Sequence, residues 1–268
     1  MVRTTMKSVY FTGPALLMLT VALSACGTFQ TEKADDPGPA PAFELSEEEG
    51  DAGRLFKKAR QSLENGQFET AVLEYESLEA TFPFGDHAAQ ARLDVSYAYY
   101  RQGELDSALA TLDRFLALYP QSDQSDYAYY MKGLVNFSRG KSLFEKFVPR
   151  KLNQLDQAWL REALADFSTL ERRYPDSPFV EDAKQRSALL TDQMAEHELS
   201  TARYYFSRSA MVAAINRVNF MLEQYPDSSS NAEGLALLAE SHRALGNIKS
   251  AEEATAVLRD KHPDHSSI

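Results

Sequence analysis

The stretch Ala71-Val72-Leu73-Glu74-Tyr75-Glu76-Ser77-Leu78-Glu79-Ala80-Thr81-Phe82-Pro83 decides the fold. Ala71, Tyr75 and Leu78 stand four and then three residues apart, the spacing of one apolar stripe along a helix. Pro83 closes that helix, because it has no N–H and disfavours helical geometry in Phe82. The arrangement recurs downstream as Ala108-Leu112-Phe115 before Pro120, Ala163-Phe167-Leu170 before Pro175, Ala214-Val218-Met221 before Pro226, and Ala251-Thr255-Leu258 before Pro263. Seventeen residues ahead of three of these prolines stands a glycine, Gly66, Gly103 or Gly246, suited to a tight turn between helices. Two helices joined by a turn in about 34 residues are the grammar of a tetratricopeptide (TPR) repeat. The register predicts an all-α TPR solenoid of five helix-pair repeats. A solenoid of this kind exposes an extended surface for holding another chain, so binding is expected rather than chemistry.

The five prolines are 37, 55, 51 and 37 residues apart, so repeats 1, 2 and 5 are compact and repeats 3 and 4 carry additions. In repeat 3 the first helix is expected from about Asp126 to Arg139 and the second from near Leu160, with an insert between them. The insert and its edges hold Arg139, Lys141, Lys146, Arg150, Lys151 and Arg161 against Glu145 and Asp156, with Phe144, Phe147 and the single tryptophan, Trp159. It reads either as a docking loop or as a solvated insertion whose aromatics fold back on repeat 3. In repeat 4 the run from Ser177 to Phe206 has no glycine and no proline after Pro178, which predicts one helix of nearly thirty residues capped by Asp176 or Ser177. The expected division is therefore residues 51–176 as an N-terminal TPR half and 177–268 as a C-terminal half.

Residues 1–50 have a different character. Arg3 and Lys7 precede an apolar run from Val9 to Ala25 that has the form of a secretion signal, with Met1 and Met6 both serving as possible starts. The run closes on Leu23-Ser24-Ala25-Cys26, and Cys26 is the only cysteine of the chain. The tetrapeptide resembles a bacterial lipobox, which predicts a signal peptide over 1–25 and covalent lipid (palmitate among its acyl chains) on Cys26. Several acyl chains at ~0.8 kcal/mol per buried methylene make a lasting anchor. Gly27 follows the cysteine where an aspartate would signal inner-membrane retention, so the expected location is the periplasmic face of the outer membrane. Residues 26–50, rich in proline and poor in large apolar groups around Pro37-Gly38-Pro39-Ala40-Pro41, are expected to be a disordered acidic tether.

Charge and residue content exclude several classes. The formal charge is −11, and loss of Arg3 and Lys7 with the signal takes it to −13. That sign opposes nucleic-acid binding and charge-driven docking on anionic lipid, leaving the lipid anchor as the membrane attachment. A lone cysteine forms no disulfide within the chain. The sequence has no glycine-rich phosphate loop and no His-Glu-x-x-His, and His262 and His265 are read as terminal residues without partner ligands, so neither an enzyme nor a metal or cofactor site is expected. Pro263 is followed by Asp264–Ile268, so no appended catalytic domain of the transglycosylase kind is expected either.

The repeat register also assigns a face. In TPR proteins the first helix of each pair lines the concave side. On that side the register places Phe56 and Arg60 from repeat 1, Tyr97 and Tyr100 with Arg101 from repeat 2, and Tyr127, Tyr130 and Phe137 from repeat 3. Tyrosine and arginine are favoured in recognition surfaces because they combine large contact area with a polar handle. The set is read as a client-peptide groove; the competing reading is that the tyrosines pack between helices.

Longer motifs carry a resemblance. They are Phe82-Pro83-Phe84-Gly85, Leu93-Asp94-Val95-Ser96-Tyr97-Ala98-Tyr99-Tyr100, Asp113-Arg114-Phe115, Asp126-Tyr127-Ala128-Tyr129-Tyr130-Met131-Lys132-Gly133-Leu134, Tyr204-Tyr205, Asn216-Arg217-Val218 and Tyr225-Pro226-Asp227. Together they resemble the BamD (ComL/YfiO) family, TPR lipoproteins of the outer-membrane β-barrel assembly machinery. The resemblance covers essentially residues 26–263. It implies a scaffold that joins the POTRA domains of BamA through C-terminal repeats, which points to Asn216 and Arg217. It also implies that the N-terminal repeats receive unfolded outer-membrane proteins, with BamC and BamE as further partners. The repeat 3 insert departs from the family pattern, with no glycine between Gly140 and Gly234, so no role is carried over to it. The alternative is a TPR adaptor lipoprotein of periplasmic cell-wall synthesis or division.

Overall fold

A computed structural model of the chain describes residues 36–41, 50–140 and 157–266. Cys26, the signal segment and the centre of the repeat 3 insert lie outside the described residues. Residues Pro37–Ile268 form one compact unit.

Among the described residues there are ten helices: α1 (Asp51–Glu64), α2 (Phe68–Thr81), α3 (Asp86–Gln102), α4 (Leu105–Leu118), α5 (Ser125–Gly140), α6 (Gln157–Arg173), α7 (Val180–Ser207), α8 (Met211–Gln224), α9 (Asn231–Ala244) and α10 (Ile248–Lys261). Each packs on the next along the chain, giving five stacked pairs, and the first helices of neighbouring pairs also touch: α1 on α3, α3 on α5, α7 on α9. This is the TPR solenoid that the proline register predicts. None of the described helices is long and apolar enough to cross a membrane.

The repeat positions do what their spacing implies. Ala71, Ala108, Ala163 and Ala214 are fully buried, as are Tyr75, Leu112, Phe167 and Val218 one turn on and Leu78, Phe115, Leu170 and Met221 beyond them. A methyl at the alanine position lets the paired helices approach closely, and the larger groups fill the space between repeats. At the helix ends, Phe82, Tyr119, Tyr225 and His262 leave helical geometry with φ of −130°, −126°, −130° and −137°. Each still donates its N–H to the carbonyl four residues back, and the proline that follows has no N–H to leave unpaired. The last pair departs from the pattern at Thr255, whose hydroxyl donates to the Ala251 carbonyl at 2.8 Å and accepts from Arg243 at 2.9 Å.

The turns between paired helices need a left-handed residue. Gly66, Gly103 and Gly246 hold φ of 75°, 80° and 77°. Repeat 4 has Ser209 at the equivalent place with φ 57°, the one described non-glycine residue with positive φ. Between α5 and α6, Gly133 lies directly against the buried Phe167 ring.

The additions in the middle repeats fall near their predicted positions, with one correction. The long helix is present with 28 residues, but it starts at Val180, and neither Asp176 nor Ser177 caps it. Ser177 is otherwise engaged: its hydroxyl donates to Asp126 of α5 at 2.6 Å, while a turn runs from the Ser177 carbonyl to the N–H of Val180. Pro178 and this link to the previous repeat delay the helix by two or three residues. At the edge of the insert, Arg139 lies over the Trp159 ring at 4.1 Å and pairs with Asp106 of repeat 2, so these residues fold onto the solenoid.

Candidate functional site: a peptide-bearing face on the first helices

The centre of the N-terminal half is a carboxylate with no solvent exposure. Asp94 sits on α3 between Leu93 and Val95, where the α1, α2 and α3 surfaces meet. Arg60 Nη1 of α1 lies 3.0 Å from both of its oxygens, the Tyr75 hydroxyl of α2 donates at 2.6 Å, and Gln90 Nε2 donates at 3.2 Å. Burial pushes the Asp94 carboxyl up to about 6, against the opposing pull of Arg60 and the hydrogen-bond donors. Burial likewise works against the charge on Arg60, but Asp94 and Glu64 together outweigh it and the guanidinium stays cationic. Burial and the neighbouring carboxylate push the Tyr75 hydroxyl far up, so it remains a donor.

The polar cluster extends to the surface of the first helices, and there it meets the chain's own N-terminal segment. Arg60 Nη1 donates to the Ala40 carbonyl at 3.0 Å and Gln90 Nε2 to the same oxygen at 3.5 Å. Gln124, just ahead of α5, donates to the Pro41 carbonyl and to Gln90 Oε1, the latter at 2.9 Å. The Tyr127 hydroxyl donates to the Gly38 carbonyl at 2.8 Å. Ala40 is completely buried by this contact. Three first helices therefore converge on the backbone of Pro37–Pro41.

This corrects the predicted tether. The composition of residues 26–50 predicts disorder throughout, yet Pro37–Pro41 is docked. Its hold comes from carbonyl oxygens and one methyl group, features that an apolar count does not register. Residues 27–35 and 42–49 lie outside the described part.

The predicted aromatic groove is corrected more sharply. Phe56, Tyr97, Tyr127, Tyr130 and Phe137 are all buried, between 0 and 5% exposed. Phe56 packs on Tyr75 and His87 with ring centres 5.6 Å away in each case. Tyr130 stacks on Phe179 at 4.9 Å and donates its hydroxyl to Asp182 of α7 at 2.6 Å, while Tyr127 meets the same Phe179 edge-on. Phe137 lies beneath the Arg186 guanidinium. Tyr97 accepts from Arg101 at 2.6 Å. Neighbouring first helices pack side by side, so register positions expected to face open groove face the next repeat instead. Tyr100 is half-buried and Arg101 exposed, with the Arg101 guanidinium 4.9 Å over the Phe68 ring. The part of the set that meets a peptide is Arg60 and the hydroxyl of Tyr127, joined by Gln90 and Gln124, which sequence reasoning missed. Asp94 was visible as an acid in a mostly buried helix, but Arg60 and Tyr75, which hold it, lie 34 and 19 residues away in sequence.

The second predicted contact is on α8. Asn216 and Arg217 are both exposed. Arg217 is 44% exposed and pairs with the more buried Glu198 of α7 at 2.9 Å. Beside them, Val212 and Phe220 are exposed one turn either side of Asn216, at 61% and 42%. Two apolar groups flanking an amide and a guanidinium make a mixed patch on a single helix face.

Stacked helix pairs presenting one face to an extended segment and a second patch to solvent define a helical-repeat binding scaffold. The chain belongs to the YfiO family, described as outer membrane lipoprotein, whose model matches residues 48–258. It is 35% identical over 245 residues to the outer membrane protein assembly factor BamD of Neisseria meningitidis serogroup A, covering 91% of this chain and 89% of that one. It is 32% identical over 263 residues to the protein of the same name from Xylella fastidiosa strain 9a5c, covering 97% and 86%. Among solved structures it is similar to a thermophilic TPR protein of Thermus thermophilus, with 15% identity, TM-score 0.37, and coverage of 80% of this chain and 92% of that one.

Proposed function

We propose that this chain is a non-enzymatic scaffold subunit of the outer-membrane protein assembly complex, anchored through lipid on Cys26 at the periplasmic face of the outer membrane. It holds BamA by its POTRA domains through the α8 patch around Asn216 and Arg217. It receives unfolded outer-membrane β-barrel proteins on the N-terminal first-helix face, with BamC and BamE as accessory partners. The observation that carries this reading is family membership over residues 48–258, together with relatives named as assembly factors that align over nearly the whole chain. Two features of the molecule support the division of labour. The N-terminal face already engages a peptide backbone through side-chain donors, and α8 leaves apolar and charged groups exposed together.

Co-purification of the tagged chain from detergent-extracted membranes tests the reading. Recovery of BamA is expected. Recovery of a peptidoglycan synthase or division protein in its place would move the chain to the cell-wall adaptor class.

A further inference from the structure

The four donors that hold Pro37–Pro41 read main-chain carbonyls, which every peptide has. Arg60 and Gln90 share the Ala40 oxygen, Gln124 takes that of Pro41 and Tyr127 that of Gly38. Only two positions of the strap demand a particular side chain. Gly38 turns the chain with φ 74°, a conformation that strains any residue with a Cβ, and Ala40 is completely buried, so a much larger side chain there must displace its neighbours. Pro37, Pro39 and Pro41 bring no N–H and so lose no donor on docking. A backbone-reading face that is already occupied by a small-residue segment of its own chain has the arrangement of a ligand site with a resident ligand.

We infer that Pro37–Pro41 is a displaceable ligand of the Arg60–Gln90–Gln124–Tyr127 face, and that while docked it closes this face to other peptides. The inference rests on the reading of this face as a peptide site. The strap is tied to α1 by residues 42–49, and a short tether holds a segment at an effective concentration on the order of mM. A competing peptide must overcome that local concentration, so weak or transient segments are excluded and an occupant with several simultaneous contacts is admitted. Displacement also changes the anchor. From Cys26 to docked Pro37 the chain reaches at most about 40 Å, and from Cys26 to Gly50 about 80 Å. Occupation of the face by another peptide therefore lengthens the leash of a lipid-anchored solenoid.

Ala40→Trp tests the inference, because it overfills the buried position and alters the strap while leaving the helices untouched. Two fluorescein-labelled peptides serve as probes: residues 36–42 of this chain, and the C-terminal segment of an outer-membrane β-barrel protein. The strap peptide is expected to bind full-length Ala40→Trp at least tenfold more tightly than the unmodified protein. Adding Tyr127→Phe or Gln124→Ala to Ala40→Trp is expected to weaken that binding at least threefold. If Ala40→Trp does not fold, the pair Gly38→Val with Ala40→Asp releases the strap by backbone strain and a buried charge. Equal strap-peptide binding with and without the strap substitution, or a gain indifferent to Tyr127→Phe and Gln124→Ala, overturns the inference. A matching gain for the β-barrel peptide supports it. If the strap peptide gains and the β-barrel peptide does not, the strap is confirmed as a ligand and the client reading of this face falls.

Discussion

Arg60 and Asp94 lie 34 residues apart in the chain, yet Arg60 Nη1 is 3.0 Å from both oxygens of the Asp94 carboxylate, joining α1 to α3. The same Nη1 reaches outward to the Ala40 carbonyl. One guanidinium thus couples the buried core of the N-terminal half to the face that carries the strap.

The pair has a pH signature. The unfolded Asp94 carboxyl titrates near its ordinary value of about 4, and the folded one near 6 because burial disfavours its charge. Between those values the folded state binds more protons, so this group's contribution to stability is larger below the window and declines as pH rises through it. Because the folded site favours the uncharged form of this group over the carboxylate, Asp94→Asn is expected to cost no more than about 1 kcal/mol at pH 7.5. The cost should grow by about 1 kcal/mol at pH 5, because the uncharged substitute does not titrate. Urea unfolding of both proteins at the two pH values measures this. A cost that shrinks on acidification would show that Arg60, and not burial, dominates the titration.

Gly133 and Gly234 are a matched contrast. A Cβ on Gly133 would come within 2.3 to 2.7 Å of three atoms of the Phe167 ring, which is fully buried and has nowhere to move. A Cβ on Gly234 would meet the Met221 Cε at 2.3 Å, the far end of a flexible side chain. Gly133→Ala is expected to lose about 1–3 kcal/mol from overpacking, and Gly234→Ala less than half of that. Thermal unfolding that ranks them in the opposite order would place the tight contact elsewhere.

Ser209 occupies a turn position that three other repeats give to glycine, with φ 57°. Ser209→Gly should stabilise the chain by roughly 1 kcal/mol by relieving the left-handed strain. A fall in the melting temperature would mean that the serine side chain makes up for its backbone.

Arg217 separates stability from binding. Its pair with Glu198 is 44% exposed on the arginine side, so Arg217→Ala should cost no more than ~1 kcal/mol. If the α8 patch is the BamA contact, the same change should lower BamA recovery several-fold, and Phe220→Ser should do likewise. Undiminished recovery from both variants would remove this patch from the interface.

The fold was legible because its signals are local and repeated. Ala71, Tyr75, Leu78 and Pro83 form a helix stripe and its stop within thirteen residues, and four further copies in register leave little room for another architecture. The candidate site was legible only in part. Register tells which side of a helix Tyr97 or Tyr130 occupies, but not that the neighbouring helix lies against that side. The contacts of Tyr130 with Phe179 and Asp182 join residues about fifty positions apart. The docked strap was hidden for a different reason. Main-chain carbonyls supply most of its hydrogen bonds, and every sequence contains those, so nothing in Pro37-Gly38-Pro39-Ala40-Pro41 distinguishes a bound segment from a free one.

Service of this scaffold in outer-membrane β-barrel assembly is tested most directly by depleting the protein in its own cells. Folded β-barrel proteins in the outer membrane are then measured by their heat-modifiable gel mobility. Folded barrels are expected to fall across many different proteins while unfolded precursors accumulate in the periplasm. Unchanged barrel content accompanied by altered peptidoglycan cross-linking would contradict that role.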